Sequence, residues 1–101
     1  MNTDNLVKQI KERFDYDSAK KILKEKYEAK LLFAEQGGMW KASPELIVLL
    51  SSFDDENIVI LDTYGTPCNI NREQLLINAK QRFQEQLNSW HTEYQEVLRE
   101  R

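Results

Sequence analysis

A chain of 101 residues with 41% hydrophobic and 31% charged residues has a globular composition tilted toward solvated helix surface, and its size allows a single domain, residues 1–101, with one modest core. The formal net charge of −3 and pI of about 5.2 argue against a nucleic-acid binder, which needs clustered positive charge to neutralise phosphates. The lone cysteine, Cys68, excludes an internal disulfide, Met1-Asn2-Thr3-Asp4-Asn5 has no apolar signal core, and no window approaches the ~18 apolar residues of a membrane span, so a soluble, cytoplasmic protein without membrane contact is expected.

Thr3 or Asp4 can cap a short first helix with Leu6, Val7, Ile10 and Phe14 on one side. Asp15-Tyr16-Asp17-Ser18 should interrupt it, because Asp and Ser compete for backbone hydrogen bonds. A second helix then runs from Ser18 to Gln36, with Ala19, Leu23, Tyr27, Leu31 and Ala34 as its stripe and Gly37-Gly38 as its C-cap. Met39 to Lys41 is short and extended, a possible third strand. Ser43-Pro44-Glu45 is a strong helix start, and the helix from Pro44 to about Phe53 is so apolar (Leu46, Ile47, Val48, Leu49, Leu50) that it should be buried on most sides. Ile58-Val59-Ile60-Leu61 reads as a strand buried on both faces, and Thr66 to Ile70 as its returning partner, which Pro67 places at an edge or restricts to pairing through the residues beyond it.

The last third carries the strongest signal. Asn71 can cap a helix, Gln74 sits where a capping-box partner reaches back, and Ile70 and Leu75 are spaced as a hydrophobic staple. No glycine or proline follows to Arg101, and Phe83, Leu87, Trp90, Tyr94 and Val97 recur at alternating steps of four and three. Such a helix of ~30 residues is ~45 Å long, whereas Ser18 to Gln36 offers only ~28 Å of cover. The expected fold is therefore α+β and helix-dominated, with helices flanking a small antiparallel β-hairpin or three-stranded sheet and a long, partly projecting C-terminal helix.

No motif for chemistry emerges. His91 has no acid or second ligand at helical spacing, Cys68 has no base beside it in sequence and reads as a buried apolar residue, and Asp62 with Asp54-Asp55-Glu56 lacks the glycine and alternating oxygens of a calcium loop. The glycines form no phosphate-cradling loop. Neither catalytic residues, cofactor, metal nor small-molecule substrate is implied; only a pocket gathering Cys68, His91 and a carboxylate would indicate an enzyme. Lys20, Lys21, Lys24, Lys26 and Lys30 interleave with Glu25 and Glu28 as an ordinary solvated face. The acidic excess lies in residues 36–71, which hold one Lys against five acids, and Asp54-Asp55-Glu56 reads as a solvated loop.

The stretches Gly37-Gly38-Met39-Trp40-Lys41-Ala42-Ser43-Pro44-Glu45-Leu46-Ile47 and Gln81-Arg82-Phe83-Gln84-Glu85-Gln86-Leu87-Asn88-Ser89-Trp90-His91, about a quarter of the chain, resemble small uncharacterised proteins of large contractile-tailed bacteriophages. The resemblance implies a phage-encoded accessory or assembly protein made in an infected bacterium, and it carries over no functional residue.

The expectation is a non-enzymatic interaction or assembly protein. Its partner-binding residues are Phe83, Leu87, Trp90, Tyr94, Val97 and Leu98, whose uncovered end near Trp90 to Leu98 calls for a protein partner or, most simply, a two-fold homodimer in which each long helix covers the other. The alternative is a small acidic regulator that binds a larger host machine, such as a polymerase or nuclease, through Asp54, Asp55 and Glu56.

Overall fold

Seven elements follow one another in the chain: α1 (Thr3–Lys30), β1 (Leu32–Glu35), β2 (Gly38–Lys41), α2 (Pro44–Ser51), β3 (Asn57–Leu61), β4 (Pro67–Asn71) and α3 (Arg72–Arg99). They are taken from a computed structural model that describes residues 3–99 and, within α1, leaves out the side chains of residues 3, 4 and 14. The cap at Thr3 or Asp4 and the stripe position of Phe14 thus lie outside the described residues. The fold is α+β and helix-dominated, with two antiparallel two-stranded hairpins, β1–β2 and β3–β4.

α3 starts as its sequence dictates. The Asn71 side chain accepts from the Gln74 backbone N–H at 3.0 Å, and the staple pair Ile70 and Leu75 are both fully buried. The reciprocal half of the capping box is made by a different residue. The Asn71 N–H donates to the Gln36 side-chain oxygen at 2.6 Å, and the Gln36 amide returns a bond to the Asn71 carbonyl at 3.3 Å. Ser43 caps α2 through Leu46 N–H at 3.3 Å, with Pro44 at the first helical position.

α1 is one continuous helix across Asp15-Tyr16-Asp17-Ser18, where a break was expected. An unfavourable Asp or Ser costs only a few tenths of a kcal/mol in a helix interior, and the half-buried Tyr16 hydroxyl meets the Tyr94 hydroxyl at 2.7 Å, tying this segment to α3. The helix also ends earlier than Gly37-Gly38. It stops at Lys30, and the buried Leu31 follows it; Leu32–Glu35 then pairs with Gly38–Lys41 around the two-residue turn Gln36-Gly37. Both turn residues take positive φ, 49° and 80°, as a type I′ hairpin requires. Glycine adopts that geometry freely, while a left-handed Gln costs roughly 1–2 kcal/mol. Its paired bonds to Asn71 offset the strain. Ala34, expected in the helical stripe, is an exposed strand residue, and Phe33 is buried in its place.

Met39 to Lys41 is a strand, but its ladder partner is β1 and not the second hairpin. The two hairpins meet through Asp62, whose carboxylate accepts from the backbone N–H groups of Thr66 (2.9 Å), Tyr64 (3.0 Å) and Met39 (3.1 Å), and through Thr63 N–H to the Met39 carbonyl at 2.9 Å. The bond from Thr66, then that from Met39, holds the Asp62 carboxyl below the usual range. Asp62 is a structural tie rather than part of a carboxylate pair.

The core gathers Leu31, Phe33, Trp40, Leu50, Ile70 and Leu75 around the start of α3. It is thin. α2 buries Leu50 fully and Leu46 and Ile47 in part, while Val48 (67% exposed) and Leu49 (41%) face outward, so this helix is buried on one side and not on most. β3 likewise buries Ile58 and exposes Val59 and Leu61, one face rather than two. Each needed a further layer, and α1 is not placed to provide it, because it runs out along α3. The molecule measures 66 × 23 × 20 Å with a radius of gyration of 19.4 Å, against ~13 Å for a compact chain of this length.

Candidate docking surface

α1 and α3 form an antiparallel hairpin that projects from the small body. Phe33, just after α1, lies beneath Arg82 (6.0 Å from guanidinium to ring centroid), Tyr27 meets Trp90, and Tyr16 meets Tyr94, so the chain numbers run in opposite senses along the seam. The Tyr27 and Trp90 rings stack at 5.8 Å and 8°, with Tyr27 only 1% exposed. Glu93 closes the seam beside them. One of its oxygens accepts both the Lys26 ammonium, at 2.6 Å, and the Tyr27 hydroxyl. The ammonium groups of Lys26 and Lys30 lie 5.3 and 5.0 Å from the centre of the Tyr27 ring.

The Lys26 bond, and after it the Tyr27 bond, holds the Glu93 carboxyl below its ordinary value, while the same carboxylate raises Lys26 and Tyr27 above theirs. A depressed acid stabilises above its unfolded value, ~4.3 for Glu, and that contribution is lost as pH falls through the folded value; raised Lys and Tyr groups contribute fully below ~10 and lose their contribution as pH rises through their folded values. The seam should hold best between those limits. The melting-temperature difference between wild type and Glu93→Gln is expected to be widest near neutral pH and to shrink below ~pH 4.3. A difference that stays constant down to pH 2 would show that the ionised carboxylate contributes nothing.

The residues expected to bind a partner are divided by this packing. Phe83 lies against the core of the body. Leu87, Trp90, Tyr94 and Val97 are half-buried along α1, and Leu98 is 39% exposed at the tip. α1, at 28 residues, reaches ~42 Å and covers α3 as far as Tyr94, beyond the ~28 Å expected of the shorter helix. The bare apolar residues at this end include Leu6, Val7 and Ile10 of α1, at 41%, 59% and 62% exposure. Asp54, Asp55 and Glu56 are exposed at the opposite, body end, beside Leu49 and Phe53, which are 41% and 40% exposed.

On one flank of the hairpin the cover is incomplete, leaving an open groove of about 640 Å³. Asp17, Lys20, Lys21 and Lys24 form its α1 wall, and Leu87, Trp90, His91 and Tyr94 its α3 wall. Both sets follow the i, i+3, i+4, i+7 spacing of one helix face. The lysines read as solvated from sequence are indeed exposed, and three of them gather on this single groove. His91 is exposed and meets the Gln95 side chain at 3.1 Å. The chain matches no protein-family model, no curated protein and no solved structure.

Cys68 is buried near the Thr66 carbonyl (3.5 Å), before α3 begins, whereas His91 lies more than five turns along that helix, roughly 28 Å from its start. Cys68 and His91 are therefore not brought into one pocket. Among the described residues no group of three His, Cys, Asp or Glu side chains could hold a metal ion, and no helix is long and apolar enough to cross a membrane. Sequence reasoning missed Tyr16, Glu93 and Gln36. Tyr16 carries a signal, since Tyr16, Ala19, Leu23 and Tyr27 continue one helical stripe once α1 is left unbroken.

Proposed function

We propose that this protein is a non-enzymatic interaction or assembly protein that docks through the far half of the α1–α3 hairpin. The observation that carries the reading is the half-covered aromatic seam, Trp90 and Tyr94 against Tyr27 and Tyr16, flanked by an open groove on a hairpin that projects from its own body. Buried aromatics at the centre of a surface are the usual anchors of protein interfaces. Self-association is the simplest form, with Leu6, Val7, Ile10 and Leu98 adding apolar surface. A phage origin and a cytoplasmic setting fit this reading and rest on the sequence resemblance and composition alone.

Light scattering on the intact chain at tens of micromolar should give more than the 12.0 kDa of one copy. Trp90→Ala should weaken association by roughly 2 kcal/mol or more, with circular dichroism confirming that the helices persist. A strict monomer would remove self-association and leave a different protein as partner. Association unchanged by Trp90→Ala would remove the seam as the docking site. The alternative, an acidic regulator using Asp54, Asp55 and Glu56, is favoured by their exposure and by the absence of any ion pair to them among the described residues.

A further inference from the structure

The groove and the acidic corner are complementary surfaces set apart along one elongated molecule. The groove offers an apolar floor, Leu87, Trp90 and Tyr94 beside His91, under a rim in which Lys20, Lys21 and Lys24 outnumber the one acid, Asp17. The corner offers Leu49 and Phe53, both about two-fifths exposed, next to Asp54, Asp55 and Glu56. Arg72 fixes the corner at the start of α3, donating to the Leu50 carbonyl at 3.0 Å and the Asp55 carbonyl at 2.8 Å. These bonds use only backbone oxygens and leave the acidic side chains to solvent. The groove begins about four turns further along α3, at Leu87, roughly 22 Å away, so one copy cannot bring its corner into its own groove.

We infer that the occupant of the groove is the acidic corner of a second copy, Leu49 and Phe53 seated on the aromatic floor and the three acids facing the three lysines. This rests on the docking reading above and names its partner. Opposite charges on the two separated surfaces favour head-to-tail approach, and exposed charges are screened beyond ~10 Å at 0.1 M salt. Such a contact joins two different surfaces, so each copy keeps a free groove or corner and assembly continues as an open chain or a ring instead of stopping at a two-fold dimer.

Complementary variants test this. Lys20→Glu/Lys24→Glu disables the groove and Leu49→Ser/Phe53→Ser disables the corner; all four positions are exposed, and circular dichroism checks that each variant keeps its helices. In sedimentation equilibrium at low salt, the wild type is expected to exceed a dimer as concentration rises and to dissociate at high salt. Each double variant alone should associate at least ~10-fold more weakly, and an equimolar mixture should form a 1:1 complex that grows no further, because it holds one intact groove and one intact corner. Variants that associate like the wild type would overturn the head-to-tail contact and leave the docking reading to be decided by Trp90→Ala. A mixture that stays monomeric would also overturn it. A wild type that is monomeric at every concentration would overturn it together with self-association, leaving only a different protein as partner.

Discussion

Trp40→Ala is expected to cost ~3–5 kcal/mol, a large part of the ~5–15 kcal/mol that holds a small domain folded. Trp40 is 2% exposed and is among the largest fully buried side chains of the body. Its ring lies so close over the first hairpin that a methyl group added at Gly38 would stand 2.7 Å from the indole Cζ2, closer than carbon atoms approach. Its indole N–H donates to the Glu35 carbonyl at 2.8 Å, at the residue before the turn, and it pairs across the hairpin with Phe33. Truncation therefore opens a cavity and orphans a carbonyl together. Trp40→Phe should cost less than Trp40→Ala because it keeps most of the packing and loses the hydrogen bond. Urea unfolding followed by circular dichroism measures both. A loss under 1 kcal/mol for the alanine variant would mean that the body is not organised around this ring.

Leu50→Ala should cost ~2–5 kcal/mol, whereas Val48→Ala, two positions away on the same helix, should change stability by no more than ~0.5 kcal/mol. Leu50 has no exposed surface and is the only fully buried side chain of α2, while Val48 is two-thirds exposed. The sequence makes the two look alike, both apolar residues in an apolar run. The contrast reads directly whether α2 is packed on one side or enclosed on most. Equal losses at the two positions would mean that the outer face of α2 is covered, by a second copy if the losses depend on protein concentration.

How far the sequence could be read follows from where each signal is local. The start of α3 is written in a few adjacent residues, Ile70, Asn71 and Leu75, and formed as expected. So did Ser43-Pro44 at α2 and the returning strand with Pro67 at the end of its register, opposite Leu61. The errors arose where distant contacts decided. Asp15-Tyr16-Asp17-Ser18 has the composition of a turn, and its helical state is supported by a bond to Tyr94, 78 residues further on. Leu32 to Glu35 fits the stripe of α1, yet becomes a strand because the left-handed Gln36-Gly37 turn is braced by Asn71, 35 residues later. The one-sided burial of α2 and β3 depends on how many layers the body has, and no window of residues records that. Of the candidate docking surface, the α3 stripe was legible and the groove was not, because its second wall exists only once α1 is continuous and antiparallel to α3.

Backbone amide shifts of the intact chain, recorded by NMR over a concentration series at low salt, test the central claim most directly. Docking through the hairpin is expected to move signals progressively on the two groove walls, residues 17–24 of α1 and 87–94 of α3, with the residues around Trp40 unmoved. Shifts independent of concentration would exclude self-association, and shifts confined to the β-hairpins would contradict the hairpin groove as the place where this protein docks.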